Sequence, residues 1–248
     1  MENQFTIKVL DHGSVTLRNI SGPTRRICQD PDSLDFQERP FDADDTDPAN
    51  AARMSFEQTD KGRTRGQDLK LAEYLMKNQH TSPFEMVEIW LEMKMPIFVA
   101  RQFVRHRTVV INEVSGRYIT LPEEWYIPEV IGGKAANAKQ GQADNLSPEV
   151  QEAFKCSLDD QCRESYRLYL HHLNQGVAPE HARMFLHLNH YTHWLWKQNL
   201  HNMMHFLSLR DHSHAQIEAQ KYAQSILKLL RNYLPYSMYL YDTYRRKE

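Results

Sequence analysis

Arg105, His106 and Arg107 set two guanidiniums and an imidazole side by side. Asn112, Glu113, Ser115, Gly116, Arg117 and Tyr118 follow within eleven residues. Fork-shaped donors, a hydroxyl and a glycine that lets backbone amides approach closely are the ingredients of a phosphate site. A structural reading stands beside that one. Cations at the end of a helix interact well with its macrodipole, so the same residues suit a helix end cap with surface salt bridges. The polar set after the apolar run Val109-Val110-Ile111 is the less common feature, and it places Glu113 near Arg117. A nucleophilic serine needs a base and an orienting third group. His106 is close to Ser115 in sequence, but a role for Ser115 as phosphate or sugar ligand is preferred.

Ten of the thirteen histidines fall between His171 and His214, which raises the question of a metal. His187, His190 and His193 repeat every three residues, His201 and His205 are one helical turn apart, and His212 and His214 follow. Such a cluster would suit a metal-dependent nucleotide phosphohydrolase. Hydrolytic metal sites usually mix histidine with carboxylates, and no Asp or Glu lies between Ala182 and Arg210. Packing or cofactor contact is therefore favoured, with no metal expected. Phe185, Trp194, Trp196 and Phe206 in the same segment read as core or ligand-stacking groups.

A net charge of −2 gives no global attraction to nucleic acid or membrane, so an anion site must be a local cluster. It also counts against a nucleic-acid module built on Arg105, Arg107 and Arg117. The three cysteines, Cys28, Cys156 and Cys162, form no C-x-x-C pair, which points to a reducing compartment without a disulfide framework. Cys156 and Cys162 lie on a predicted amphipathic helix and read as packing residues. The N-terminal segment has no signal-peptide pattern, and no apolar run approaches the roughly 20 residues of a membrane span. A cytoplasmic location, with no membrane or nucleic-acid partner, is expected.

The elements that must position these groups follow from pattern. Phe5–Leu10 and Ser14–Ile20 predict a hairpin about Asp11-His12-Gly13. Asp30–Pro48 reads as a solvated acidic loop. Asp68–Asn78 has helical spacing, broken by His80–Phe84. Val87, Ile89, Leu91, Met93 and Met95 alternate with Glu88, Trp90, Glu92 and Lys94, the clearest strand. Pro96 stops it and opens a helix over Ile97–Arg105. Residues 131–147 read as a mobile insertion loop. Ser147-Pro148-Glu149 starts a helix reaching about Asn174. Further helices are predicted over Ala178–Leu186, Tyr191–Phe206 and Ser213–Tyr233. Strands early and helices late give an α+β class with an antiparallel sheet and a helical C-terminal half, in one domain over residues 1–248.

Arg105-His106-Arg107 followed by seven residues and Ser115 resembles the signature of the flavin-dependent thymidylate synthases. The wider stretch RHRTVVINEVSGRY carries the same likeness. Ala51-Ala52-Arg53-Met54-Ser55, His80-Thr81-Ser82-Pro83-Phe84-Glu85, Phe206-Leu207-Ser208-Leu209-Arg210 and Ser213-His214-Ala215-Gln216 fit in the same order, so the likeness spans roughly residues 50 to 235. Val110 departs from it, since many members carry Ser there. The flavin-type motif also decides against a cysteine-dependent synthase, of which Cys28 after Arg25-Arg26-Ile27 is a weak echo.

The resemblance implies synthesis of dTMP from dUMP. It implies methylenetetrahydrofolate as one-carbon donor, FAD as hydride carrier, NADPH as reductant and a homotetramer with shared active sites. By motif position, Ser115, Gly116, Arg117 and Arg183 would hold the phosphate and sugar of dUMP. Gln102, Phe103, Val104, Arg105, Glu113 and Val114 would line the nucleotide, and Arg210 would meet the uracil ring as the catalytic residue. Arg105, His106, Arg107 and Glu113 would also touch FAD, together with Ser82, Asn199, Leu200, His201, His205 and His214. Position 205 is Asn in some relatives; both types can donate a hydrogen bond. His80 would pack by folate or nicotinamide.

Overall fold

The alternation in Glu88–Pro96 (β3) holds residue by residue: Ile89, Leu91, Met93 and Met95 are fully buried, while the intervening side chains face the other way. The structure, a computed structural model, describes residues 4–23, 41–57, 63–134 and 142–246. Thr6–Val9 (β1) and Gly13–Ser21 (β2) form the expected hairpin. β2 pairs with β3, and β3 pairs with Tyr191–Asn199 (β7), which pairs in turn with Val110–Glu113 (β4). The order β1-β2-β3-β7-β4 is antiparallel throughout. This confirms an α+β domain with an antiparallel sheet.

The helices are Asp47–Arg53 (α1), Arg65–Lys77 (α2), Ser82–Glu85 (α3), Ile97–Phe103 (α4), Pro148–Asn174 (α5), Pro179–Ala182 (α6), Leu200–Arg210 (α7), Ile217–Tyr233 (α8) and Pro235–Tyr244 (α9). One face of the sheet is sealed by Val99 and Phe103 of α4, Met203 and Phe206 of α7, and Tyr222 and Ile226 of α8. Phe103 stacks on Trp196 at 6.1 Å and meets Phe206 edge-on at 4.9 Å, so α4, β7 and α7 share one aromatic contact. Buried aromatic area of this kind is a large part of what fixes such elements together. A smaller core joins α5 to Leu121 and Trp125 through Tyr166 and Tyr169. Among the described residues no helix is long and apolar enough to cross a membrane.

Several expectations need correction. Tyr191–Phe206 is not one helix: Tyr191–Asn199 is a central strand, and helix begins only at Leu200, with Asn199 as its N-cap. Ala178–Leu186 holds one α turn and a 3-10 turn at Arg183–Phe185 rather than a helix. The predicted helix from Ser213 starts at Ile217, and α9 is an addition to the expected elements. Gly132–Lys134 (β5) and Gln142–Asn145 (β6) pair as a ribbon, so the ends of the expected insertion loop are ordered strands; residues 135–141 lie outside the described residues. The acidic stretch is not simply solvated where it is described. Asp45 and Asp47 are buried, and Asp45 accepts hydrogen bonds from the backbone N–H groups of Tyr236 and Ser237 at 3.0 and 2.8 Å. A carboxylate there caps the start of α9. Cys162 is buried as expected, but Cys156 is exposed; Cys28 lies outside the described residues.

Candidate active site

α4 ends at Phe103 with Val104 as its C-cap, so Arg105, His106 and Arg107 follow directly on the helix end and occupy the turn that leads from α4 to β4. That turn packs against the C-terminal end of α7. Arg210 Nε donates to His106 Nε2 at 3.1 Å, and Arg210 Nη2 donates to the Gln102 carbonyl at 3.1 Å. Gln102 Nε2 in turn donates to Gln216 Oε1. The His106 ring lies edge-on to Phe206 at 5.0 Å and 6.4 Å from the His205 ring. Among the described residues Arg210 Nη1 makes no protein hydrogen bond. No carboxylate pairs with Arg105, His106, His205 or Arg210 there either. The result is an acid-free patch of basic side chains, with His106 and Arg210 half-buried, Arg105 and His205 exposed, and one Arg210 nitrogen unbonded.

His106 accepts from Arg210, so its Nε2 must carry a lone pair. Burial, then the charge of Arg210, then His205 lower its pKa from 6.5 to about 4. The Arg210 guanidinium is itself lowered by burial and by Arg105. Because the folded value of His106 lies below the ordinary one, the unfolded chain takes up this proton first as pH falls. The stability contributed is full above about 6.5 and is lost as pH drops towards about 4. An NMR titration of the His106 ring is expected to show a midpoint near 4. A midpoint at its ordinary value would contradict the contact with Arg210.

At the other end of α4 lies a second set of groups. Ile97, Glu113, Val114, Gly116, Arg183 and Thr192 line a cleft of about 200 Å³. The β4 ladder continues one residue, with Val114 N–H donating to the His193 carbonyl at 2.8 Å, and the chain then turns at Ser115. Ser115 Oγ accepts from Arg117 N–H at 3.3 Å, which leaves its O–H free to donate outward. A Cβ at Gly116 would lie 2.9 Å from Leu121 Cδ1 and 3.4 Å from Arg183 Cδ. The glycine thus lets Leu121 close onto the loop, and Arg183 of the distant 3-10 turn lies in ordinary contact beside it. Glu113 and Arg117, expected close together, each take another partner. Thr192 donates to Glu113 Oε1, and Arg117 meets Glu180 at 3.1 Å. An exposed pair of that kind holds only about 0–1 kcal/mol, so an incoming phosphate can displace it.

Among the described residues no hydrogen bond joins Ser115 to His106, so nothing in the geometry supports a nucleophilic serine. Nor do those residues contain a group of three or more His, Cys, Asp and Glu side chains placed to hold a metal. The chain matches the family described as thymidylate synthase complementing protein over residues 40–236. It is 41% identical to a flavin-dependent thymidylate synthase of Thermus thermophilus, over 95% of this chain and 77% of that one. It is 36% identical to the protein of the same name from Rickettsia bellii, over 96% and 79%. This chain belongs to the flavin-dependent thymidylate synthase family.

Among solved structures, the UMP/dUMP methylase PolB from Streptomyces cacaoi, bound with 5-Br dUMP, has a TM-score of 0.77 to this chain. The two are 25% identical over 96% of this chain and 98% of that one. Membership makes this chain an enzyme and gives the remaining motif residues a frame. His80 and Ser82 are exposed at and before the start of α3, with His80 edge-on to Tyr74 at 6.1 Å. His201 is half-buried in the first turn of α7, and His205 is exposed one turn on. His214 is exposed and stacks on His212 at 5.0 Å. Phe103 and Leu200 are buried in the core rather than open to the site. Thr192 and Gln216 are additions to the expected site. Thr192 is hidden from a sequence reading that takes β7 for a helix, because its place beside Glu113 exists only in the strand. Gln216 sits in a recognised motif, but its partner Gln102 is 114 positions away.

Proposed function

We propose that this enzyme converts dUMP to dTMP, with methylenetetrahydrofolate as one-carbon donor, FAD as hydride carrier and NADPH as reductant. One observation carries the reading. α4 joins an acid-free patch of basic side chains around Arg210 to a cleft lined by Gly116 and Arg183. Ile97 of the cleft and Gln102 of the patch are five residues apart, roughly 8 Å along the helix. A nucleotide spanning that distance would place its phosphate at one end and its base at the other.

The residues fit a flavin dinucleotide. Arg105, Arg107, His106, His201 and His205 form a donor set suited to a diphosphate and a heteroaromatic ring. When bound, FAD supplies the hydride chemistry, which the protein has only to position. Ser115, Gly116 and Arg183 hold the dUMP phosphate, and Arg117 swings to it from Glu180. Gln102, Val104, Arg105, Glu113 and Val114 line the nucleotide. The free edge of Arg210 favours negative charge on the uracil ring and so makes C5 a better nucleophile. His106, held neutral, fixes the Arg210 plane without competing for its charge. Ser82, Asn199 and His214 complete the flavin contacts, and His80 lies by folate or nicotinamide. We further assign a cytoplasmic homotetramer, in which sites divided among distant segments are completed between subunits.

The test is chemical. Purified protein supplied with FAD, NADPH, methylenetetrahydrofolate and dUMP is expected to form dTMP, and omission of any one of the four is expected to stop it. A colourless protein that neither binds FAD nor forms dTMP would overturn the assignment.

A further inference from the structure

Glu113 is the one acid among the side chains that line the cleft at Gly116 and Arg183, and it is held there by a residue from outside the motifs. The antiparallel ladder puts Glu113 opposite Trp194, and Val114 N–H closes on the His193 carbonyl at 2.8 Å. Thr192 is two residues before Trp194 on the same face of β7, so it lies diagonal to Glu113, within reach of a long side chain. Its hydroxyl donates to Glu113 Oε1 at 2.5 Å. Thr192 is buried and pairs in register with Met95 of β3. A branched Cβ leaves χ1 few choices, so the donor is a rigid one.

Glu113 is placed quite differently. It is exposed, at the end of an edge strand, and a glutamate there has several rotamers to lose on binding a ligand. Thr192 removes part of that freedom in advance. The bond also divides the carboxylate. Oε1 is occupied, while among the described residues Oε2 accepts no hydrogen bond and Glu113 makes no ion pair. An ionised carboxylate only accepts, and it repels a phosphate. With Ser115, Gly116 and Arg183 set for the phosphate, Oε2 suits a hydroxyl of the sugar. A deoxynucleoside 5′-monophosphate has a single free one, at C3′.

We propose that Thr192 is a positioning residue of the nucleotide site: it holds Glu113 so that the second carboxylate oxygen accepts the sugar hydroxyl of the substrate. The inference rests on the reading that Glu113 lines the nucleotide. Thr192 acts only through Glu113. The sugar does not react, so this contact is the same in the bound substrate and in the transition state. Its loss should therefore appear in KM and not in kcat.

The experiment is a calorimetric titration of the full-chain protein, in the presence of FAD, with dUMP and with 2′,3′-dideoxyuridine 5′-monophosphate, which lacks the hydroxyl. Thr192→Val keeps the shape of the side chain and removes the donor. It is expected to weaken dUMP and raise its KM about tenfold, with kcat and the affinity for the dideoxy analogue each within about twofold. Thr192→Ala carries the same expectation as a second probe. Thr192→Ser restores the hydroxyl and is expected to recover most of the affinity for dUMP. Glu113→Ala should weaken dUMP at least as much as Thr192→Val does. If Glu113→Ala is impaired but the Thr192 variants bind dUMP normally, or lose dUMP and the analogue equally, the role of Thr192 alone is overturned. Unchanged dUMP binding in Glu113→Ala would instead overturn the placement of Glu113 at the nucleotide, and this inference with it.

Discussion

Arg210→Ala is expected to lower the turnover number for dTMP formation by roughly 100- to 1,000-fold, the usual cost of removing a preorganised donor aimed at developing charge. Flavin affinity should change far less, because the proposed flavin contacts are spread over many residues. The structure says why the residue is so particular. Two of its nitrogens are consumed by His106 and by the Gln102 carbonyl, which lock the plane of the guanidinium. The third makes no hydrogen bond to a described residue. The same substitution should raise the pKa of His106, since the Arg210 charge is one of the causes that depress it. Steady-state kinetics with a parallel flavin titration checks the first effect, and the His106 ring titration checks the second. Turnover like that of the unaltered enzyme would remove Arg210 from the chemistry.

Arg53→Ala is expected to cost about 3–5 kcal/mol of stability, because it leaves a buried carboxylate unpaired. Arg53 belongs to the motif Ala51–Ser55. It is 7% exposed, ion-paired with Asp68 of α2, and hydrogen-bonded to Asn50 at 2.9 Å. It ties α1 to α2. For a domain of this size the loss should lower the melting temperature by roughly 6–20 °C. Arg53→Leu combined with Asp68→Leu should recover much of it, since a buried pair replaced by apolar residues is often near neutral. A melting temperature within about 2 °C of the parent for Arg53→Ala would contradict this account.

The elements legible from sequence are those with a single dominant signal. β3 alternates cleanly, β1 and β2 bracket a turn, and α5 opens at Ser147 with Pro148 in its first position. β7 is not legible in that way. Thr192, Trp194, Trp196 and Gln198 point to the buried face, but Leu195 on the opposite face is apolar too, which blurs the alternation. The three-residue spacing of His187, His190 and His193 imitates a helical repeat, although only His193 lies in the strand. Helix α7 then follows without a break, so one mixed segment reads as a single helix.

The candidate site divides along the same line. Arg105 to Arg117 is contiguous, and its chemistry can be read from residue types. The contact of Arg210 with His106 crosses 104 positions, and the packing of Arg183 over Gly116 depends on the 3-10 turn after α6. Motif position names those arginines; only the fold shows which atoms they have left to offer.

The central claim is that nucleotide and flavin meet where the Arg105–Arg117 stretch packs on the end of α7. A crystal structure of the enzyme with FAD and dUMP tests it most directly. The account predicts the dUMP phosphate within hydrogen-bond reach of Ser115 and Arg183, and the uracil ring at the free edge of Arg210 against the flavin. A nucleotide bound away from both Gly116 and Arg210 would contradict it.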